Sequence, residues 1–351
     1  MHEALYYQRL EEGEVACSLC GHCCRIGLGQ RGRCGVRENQ DGRLISLVYG
    51  KLVAQHIDPI EKKPLFNFLP GSRTYSIATV GCNFHCRHCQ NSAISQYPHA
   101  HGGAIAGTAA TPGEVVAEAR RTGCASISYT YVEPTIFFEF IHDCACLAKT
   151  QKIRNVLVSN GYMTAGAIRS LAPVTDGINI DLKAFADGFY RRICGASLAP
   201  VLENIRLCHQ LGLLVEVTTL IIPGLNDSEE ELRAIACFLK GVSADIPWHV
   251  TGFHPASAML DRPPTPAATL GKARAIGLEA GLRFVYQGNV AGSGGEDTLC
   301  PGCGSTLIRR QGFRSEVKAM RGGRCLGCGS LIHGVWAEEA GDMSDLRFTG
   351  S

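Results

Sequence analysis

Three closely spaced cysteines are the clearest chemical feature of this sequence. Cys82, Cys86 and Cys89 lie in the stretch GCNFHCRHCQN, residues 81–91, with the spacing C-x3-C-x2-C. Cysteine thiolates bind iron–sulfur clusters, and a cubane cluster has four irons. Three protein ligands leave one iron open, and catalytic metal sites generally keep such a position. We therefore expect a cluster whose fourth iron binds a substrate or cofactor. The alternative is a zinc or structural iron–sulfur loop completed by a cysteine elsewhere.

Two further cysteine groups flank this loop in a chain that has 18 cysteines. Near the C-terminus, two C-x2-C pairs have almost the spacing of a zinc ribbon, which predicts a closed tetrahedral zinc site with rubredoxin-type iron as the alternative. Near the N-terminus, five cysteines predict a second metal site, where zinc and an auxiliary iron–sulfur cluster both fit. Cys23 creates a ferredoxin-like C-x2-C-x2-C triplet there. The C-terminal ligand set is Cys300, Cys303, Cys325 and Cys328, and the N-terminal group is Cys17, Cys20, Cys23, Cys24 and Cys34.

The other cysteines are scattered along the chain, and we interpret them as small apolar residues of the core. They are Cys124, Cys144, Cys146, Cys194, Cys208 and Cys237.

The composition is that of a globular protein with no strong charge. The chain has 351 residues, of which 45% are hydrophobic, and its net charge is +2. Nothing in this balance argues for nucleic-acid binding, and the longest apolar runs are too short for a membrane span. The N-terminal stretch MHEALYYQRLEEGEVAC has acidic residues and no apolar signal core. We therefore expect a cytoplasmic protein whose cysteines bind metals rather than form disulfides.

Short apolar strands alternate with helical segments from residue 74 onward, which predicts a parallel sheet with helical crossovers. Six or seven such units indicate an α/β fold, a partial or complete (βα) barrel with a small Cys-rich metal module at each terminus. The predicted division is a Cys-rich module at 1–57, the barrel at 58–296, and a zinc-ribbon-like module and tail at 297–351. We predict that DPIEKKPLFNFLPGS, residues 58–72, is an irregular connector.

Polar residues stand at the C-terminal end of each predicted strand. Because the ligand site of a βα barrel lies at those ends, we expect residues far apart in sequence to converge on one mouth. These residues are Cys82, Glu133, Asn160, Asp181, Lys183, Thr219, His254 and Asn289.

The three-cysteine loop at the end of the first strand resembles that of the radical S-adenosylmethionine (radical SAM) superfamily. The resemblance covers roughly residues 58–290. It implies a [4Fe–4S] cluster whose open iron is chelated by the amino and carboxylate groups of SAM. Reductive cleavage of SAM then gives a 5′-deoxyadenosyl radical that abstracts hydrogen from a substrate. The chemistry belongs to the cofactors, so no catalytic side chain is predicted beyond the cluster and the SAM site.

The resemblance also implies roles for individual residues. Glu133 follows the second strand, where the family usually has Gly-Gly-Glu contacting the SAM amino group. Here Tyr131-Val132 replaces the two glycines. A carboxylate that merely caps the following helix is the alternative. Asp181 and Lys183 resemble the Asp-x-Lys motif of glycyl-radical-enzyme activases, where the pair engages SAM; an ordinary ion pair is the alternative.

The remaining predicted SAM contacts are less specific. His254 matches a histidine near SAM in the activases, and a structural histidine is its alternative. His88 stands where the family often has an aromatic residue near the adenine. The full predicted set of cofactor contacts is His88, Gln90, Tyr131, Glu133, Asn160, Asp181, Lys183, Thr219 and His254.

A narrower resemblance is carried by DPIEKKPLFNFLPGS, GCNFHCRHCQN, YTYVEPT and QGNV. These segments are similar to radical SAM proteins encoded beside Memo-like and AMMECR-like proteins, which implies such proteins as partners. The usual cysteine positions of these proteins imply Cys17, Cys20, Cys24 and Cys34 as the N-terminal metal ligands, with Cys23 as an extra cysteine. Activase-like chemistry implies a protein substrate and a reductant such as flavodoxin or ferredoxin. Two alternatives stay open: radical modification of a small molecule, and a non-catalytic iron–sulfur or zinc protein that transfers electrons or binds a partner. The sequence does not identify the substrate.

Overall fold

The computed structural model describes residues 2–290 and 294–337, and its centre is one eight-stranded sheet. Seven strands run parallel in chain order, and an additional strand pairs antiparallel with the first of them. In chain order the strands are β1 (Ala54–Pro59), β2 (Arg73–Ala78), β3 (Ser126–Tyr129), β4 (Arg154–Ser159), β5 (Gly177–Asp181), β6 (Leu214–Ile221), β7 (Trp248–Gly252) and β8 (Val285–Gly288).

Six helices connect the successive parallel strands, so the predicted alternation of strand and helix is confirmed. They are α1 (Pro112–Arg121), α2 (Phe138–Thr150), α3 (Ala165–Leu171), α4 (Ala199–Gln210), α5 (Glu229–Val242) and α6 (Ala267–Glu279). Local signals fix their starts. Thr111 and Glu114 form a capping box at α1, and the Ser228 side chain caps α5.

The sheet is open in its hydrogen bonding. Its order runs from β8 to β1 without a pairing between these two edge strands in the described ranges. Strands β2 to β7 are almost entirely buried, as expected of parallel strands that are covered on both faces. In residues 2–290 and 294–337, no helix combines the length and apolar character that a membrane crossing requires.

The prediction of an irregular connector at 58–72 was wrong at its start. Asp58 and Pro59 end strand β1, which also crosses the predicted boundary between residues 57 and 58. Proline is tolerated there because β1 is an edge strand. A short 3-10 helix, Ile60–Lys62, follows.

Small antiparallel sheets build the two terminal parts. The N-terminal strands are His2–Glu3, Tyr7–Arg9, Val15–Cys17, Arg25–Ile26, Arg37–Gln40, Arg43–Ser46 and Lys51–Leu52, the last of which pairs with Thr108–Ala109. The C-terminal strands are Thr298–Leu299, Thr306–Gln311, Arg314–Val317, Met320–Arg321 and Arg324–Cys325. The predicted tail beyond residue 337 lies outside the described residues.

Short helical segments fill several loops. They are the 3-10 helices Glu11–Gly13, Pro134–Phe137 and Ala172–Val174, the short α-helices Ser92–Ser95, Tyr97–Ala100 and Asp187–Phe189, and the π-helix Tyr190–Cys194.

A buried carboxylate ties the sheet to the segment before β2. Glu216 of β6 accepts hydrogen bonds from the backbone N–H groups of Phe66 and Asn67, at 3.0 and 2.7 Å, and contacts His249 at 2.6 Å. Asn67 in turn donates to the carbonyl of His333. The C-terminal module is therefore anchored to the central sheet through this segment.

Candidate metal centre and cofactor site

The three-cysteine loop follows β2, and backbone N–H groups of the loop point at two of its thiols. The backbone N–H of Phe84 donates to the Cys82 thiol at 3.4 Å, and that of Asn91 points at the Cys89 thiol. Donation from residue i+2 to a cysteine sulfur stabilises a thiolate. Among the residues that the structure describes, these three thiols are not gathered within 4.8 Å of one another, whereas the four C-terminal thiols are. The loop therefore lacks the compact thiol arrangement of the C-terminal group.

Cys194 lies beside the loop, although its sequence position gave no sign of this. Its thiol hydrogen-bonds to Cys86, which lowers the pKa of Cys86 against the opposing effect of burial. The carbonyl of Cys194 accepts a hydrogen bond from His85 N–H at 2.9 Å, and the carbonyl of Ile193 accepts one from Arg87 N–H at 3.0 Å. The π-helix therefore supports the outer side of the cysteine loop. The other scattered cysteines divide: Cys124, Cys144 and Cys208 are buried, whereas Cys146 is half-buried and Cys237 is exposed.

Glu133 lies where the C-terminal ends of β3 and β4 meet the cysteine loop. Its Oε1 accepts hydrogen bonds from Thr135 N–H, the Thr135 hydroxyl and the Ser159 hydroxyl, and its Oε2 accepts one from Asn160 N–H at 2.7 Å. Burial raises the pKa of Glu133, and the four donors oppose that shift. The carboxylate caps the short helix after it, as the alternative proposed, but it is buried. Burial of Cys82, and then the nearby Glu133 charge, raise the pKa of the Cys82 thiol.

Asn83 completes the connection from Glu133 to the cysteine loop, and it is not among the residues predicted from the sequence. The Asn160 side-chain amide donates to the Asn83 side-chain oxygen at 2.7 Å, and Asn83 follows Cys82 directly. Both asparagines are buried. A buried asparagine needs a polar partner. Its polar side chain within the cysteine loop is the only sequence feature that could have indicated such a role.

Lys183 approaches the loop from the end of β5. Its ammonium contacts Asp181 at 2.8 Å in a partly buried pair. Burial disfavours the charged form, but the Asp181 carboxylate and the nearby Cys86 thiol outweigh it and raise the pKa of Lys183. Burial, and then the Lys183 charge, lower the pKa of His88 to about 3, so this imidazole is neutral at pH 7.

Tyr131 has the left-handed backbone conformation that glycine would adopt most easily, with φ of 65°. Two contacts hold it there. Its hydroxyl donates to Asp58, and the Lys63 ammonium lies over its ring, 4.4 Å from the centroid. Its carbonyl accepts a hydrogen bond from the Asn91 side chain at 2.8 Å, which ties the end of β3 to the cysteine loop.

The other predicted residues make no hydrogen bond to the cysteine loop in the described part of the chain. Thr219 is buried inside β6, where its hydroxyl donates to the Leu182 carbonyl and accepts from the Trp248 indole, both at 2.9 Å. His254 and Gln90 are exposed, and His254 follows the end of β7. Asn289 donates to the Gly252 carbonyl at 3.1 Å.

The four C-terminal cysteines form a compact thiol site. Cys300 and Cys328 are 3.5 Å apart, Cys303 and Cys325 are 3.7 Å apart, and all four thiols lie within 4.8 Å of one another. Tetrahedral zinc with Zn–S bonds near 2.3 Å requires sulfur separations of about 3.8 Å. The N-terminal Cys17, Cys20, Cys24 and Cys34 instead line one cavity.

Comparison with known proteins agrees with this geometry. The sequence profile of the radical SAM superfamily matches residues 76–236. The chain is 44% identical over 335 residues to uncharacterized protein MJ0808 of Methanocaldococcus jannaschii, covering 95% of this chain and 99% of that protein. It is 24% identical over 196 residues to the pyruvate formate-lyase-activating enzyme of Clostridium pasteurianum, covering 53% of this chain and 79% of that enzyme.

A solved structure gives the same fold. Streptococcus suis SuiB, bound to the precursor peptide SuiA, superposes with a TM-score of 0.51 at 13% identity, over 66% of this chain and 52% of that chain. At this identity the likeness concerns the fold.

Proposed function

We propose that this chain, which belongs to the radical SAM superfamily, binds a [4Fe–4S] cluster through Cys82, Cys86 and Cys89 and binds SAM beside it. The donor set fits such a cluster, because it consists of three cysteine thiols and backbone N–H groups point at those of Cys82 and Cys89. When bound, the cluster supplies the electron that cleaves the sulfonium C–S bond of SAM and generates the hydrogen-abstracting 5′-deoxyadenosyl radical.

The observation that carries this proposal is the chain of contacts from Glu133 through Asn160 and Asn83 to Cys82. It holds a buried carboxylate beside the cysteine whose pKa that carboxylate perturbs. Among the described residues, Oε2 of Glu133 has a single donor and can accept one more hydrogen bond. We assign that position to an N–H of the SAM amino group, which coordinates iron in its neutral form and donates a charge-assisted hydrogen bond to the carboxylate.

Lys183 and Asp181 bind the other polar parts of SAM in this proposal. The Lys183 ammonium is near Cys86 and pairs with the SAM carboxylate, while the half-exposed Asp181 carboxylate accepts from the ribose hydroxyls. The neutral His88 offers a flat face to the adenine, and its Nδ1 has no hydrogen-bond partner within the described residues. Thr219 acts indirectly in this scheme, because its hydroxyl fixes the Leu182 carbonyl next to Lys183.

We further propose a protein substrate. Relatives of this chain include activating enzymes for pyruvate formate-lyase and isethionate sulfite-lyase, whose names describe action on another enzyme. A one-electron donor such as flavodoxin or ferredoxin supplies the electron, and Memo-like and AMMECR-like proteins are the first partners to test. Radical modification of a small molecule is the competing proposal, and the same assay separates the two.

For the C-terminal site we propose structural zinc. The near-tetrahedral sulfur spacing and the lack of an open ligand position support a closed site rather than a catalytic one.

The test is anaerobic. The reconstituted full-length protein is reduced in the presence of SAM, and 5′-deoxyadenosine is quantified. Wild type is expected to form it, Cys86→Ala is expected to form none, and Cys237→Ala, which removes an exposed thiol, is the matched control. An intact cluster without product would overturn the enzymatic proposal. Deuterium transfer into 5′-deoxyadenosine from a labelled protein rather than a labelled metabolite would establish the substrate class.

A further inference from the structure

The N-terminal cysteines surround a cavity against the barrel, on the side of the radical SAM loop. All four thiol-bearing residues predicted there line it: Cys17, Cys20, Cys24 and Cys34. Leu19, Ile26 and Ile136 supply apolar walls, and the empty space is about 340 Å³ with its opening to solvent included. Cys23 is not part of the lining and is exposed, with its thiol directed at the Cys20 carbonyl.

The spacing of these thiols differs from that of the C-terminal zinc-like site in the same molecule. In the C-terminal group all sulfurs lie within 4.8 Å of one another, whereas no three of the N-terminal thiols do, in the part of the chain that the structure describes. A single tetrahedral ion would draw four sulfurs to about 3.8 Å from each other. A cubane binds each thiolate on a different iron, so its ligands stand farther apart and enclose a void.

Backbone N–H groups are directed at three of these four cysteines. The N–H groups of Leu19, His22 and Val36 point at the sulfurs of Cys17, Cys20 and Cys34, each from residue i+2. Residues i+2 make the same contact at the radical SAM loop and at the C-terminal site. For the buried core thiols of Cys144 and Cys208, burial raises the pKa and no backbone N–H group in the described ranges opposes it.

Two unpartnered polar side chains also line the cavity. Arg37 is 2% exposed, and its Nε and Nη1 lack hydrogen-bond partners within residues 2–290 and 294–337. Its Nη2 is fixed by the Leu5 carbonyl at 2.6 Å and by Glu139 at 2.8 Å. The side-chain N–H2 of Asn83, 1% exposed, is likewise unpartnered. Buried donors of this kind require an acceptor, and an anionic cluster with sulfide and thiolate sulfurs provides one.

We propose that Cys17, Cys20, Cys24 and Cys34 bind a second, fully ligated [4Fe–4S] cluster next to the radical SAM cluster. The two sites share Asn83, which lines the cavity and follows Cys82. The contact between them is close. Gly81 has φ of 99°, and a Cβ there would meet the Cys34 carbonyl at 2.9 Å and Val36 at 2.6 Å. His22 also donates to the Asn83 carbonyl at 2.7 Å.

The test uses full-length protein in which Cys82, Cys86 and Cys89 are all replaced by alanine. After anaerobic reconstitution, this triple variant is expected to retain about four irons and four sulfides per chain. It is also expected to hold about one zinc, from the C-terminal site. Two zincs and no iron would overturn the proposal in favour of a mononuclear site. A variant that holds only the C-terminal zinc and no iron would also overturn it. Because the triple variant has lost the SAM-cluster ligands, this result is independent of whether the proposed function holds.

Ligand identity is tested in the same background. Adding Cys34→Ala is expected to remove the remaining iron, whereas adding Cys23→Ala is expected to leave it unchanged. Loss of iron in the Cys23→Ala protein would refute the ligand assignment. If Cys34→Ala reduces folding, the iron and sulfide content of the triple variant still decides the question. In the wild type, electron paramagnetic resonance of the reduced protein is expected to show spin coupling between the two neighbouring clusters. Two uncoupled signals would refute their adjacency.

Discussion

Replacing Glu133 by glutamine perturbs both of its proposed roles, which are to hold two strand ends together and to accept a hydrogen bond from the SAM amino group. The carboxylate has four protein donors, three on Oε1 and one on Oε2. Glu133→Gln can keep its carbonyl oxygen at the Oε1 position. Its NH2 group then faces the Asn160 N–H, and that buried donor loses its partner. One unsatisfied buried donor costs about 1–3 kcal/mol of folding free energy.

The same substitution removes the negative charge that accepts the N–H of the SAM amino group. A hydrogen bond to a charged group contributes about 1.5–3 kcal/mol, so SAM binding should weaken roughly 10- to 150-fold. Equilibrium dialysis of SAM with the reconstituted protein measures the dissociation constant, and urea unfolding measures stability. Ser159→Ala is the matched control, because it removes one donor to Oε1 and keeps the charge. Its SAM affinity should change far less. If Glu133→Gln binds SAM as tightly as wild type, the assignment of Oε2 to the SAM amino group is wrong.

Three further predictions concern the surroundings of the site. Burial opposes ionisation of Asp58, but hydrogen bonds from neighbouring groups including Lys63 outweigh it and hold the Asp58 pKa well below its ordinary value. The folded state therefore binds fewer protons than the unfolded state in acid. Urea titrations should show that wild type loses stability from about pH 5 downward, and that the stability of Asp58→Asn depends less on pH over the same range. Gly81→Ala should cost about 1–3 kcal/mol in urea unfolding, because φ is 99° and the new Cβ would stand 2.6 Å from Val36; an unchanged midpoint would contradict that packing. Cys328→Ser should lower the zinc content by about one ion per chain, and unchanged zinc would exclude the C-terminal site.

The sequence predicted those features that depend on local spacing or on strand topology. The separation of Cys82, Cys86 and Cys89 indicated a loop with three ligands, and the superfamily is confirmed by the matched profile. The alternating strands predicted a parallel sheet, and parallel strands bring their C-terminal ends to one edge. For that reason Glu133 and Asn160, which are 27 residues apart, meet beside the loop.

Contacts that depend on packing could not be derived in this way. Nothing in the spacing of Cys194 indicates that its thiol hydrogen-bonds to Cys86, because the contact arises from a π-helix between β5 and β6. Asn83 has a role only because another strand end presents Asn160 to it. The departure from glycine at Tyr131 was visible in the sequence, but the Asp58 and Lys63 contacts that accompany it were not.

The sequence also left the N-terminal metal open between zinc and a cluster. Cysteine spacing alone does not report how far apart the thiols stand in space. The separation of the thiols around one cavity, together with the unpartnered Arg37 donors that line it, supports our proposal of a cluster.

The central claim is that the iron without a protein ligand binds SAM directly. Electron–nuclear double resonance of the reduced protein with SAM carrying 15N in its amino group tests this most directly. A protein lacking the N-terminal cysteines gives a single cluster signal for that measurement. The account predicts a resolved 15N hyperfine coupling that is lost when SAM is omitted. A cluster spectrum that SAM leaves unchanged, without nitrogen coupling, would contradict it.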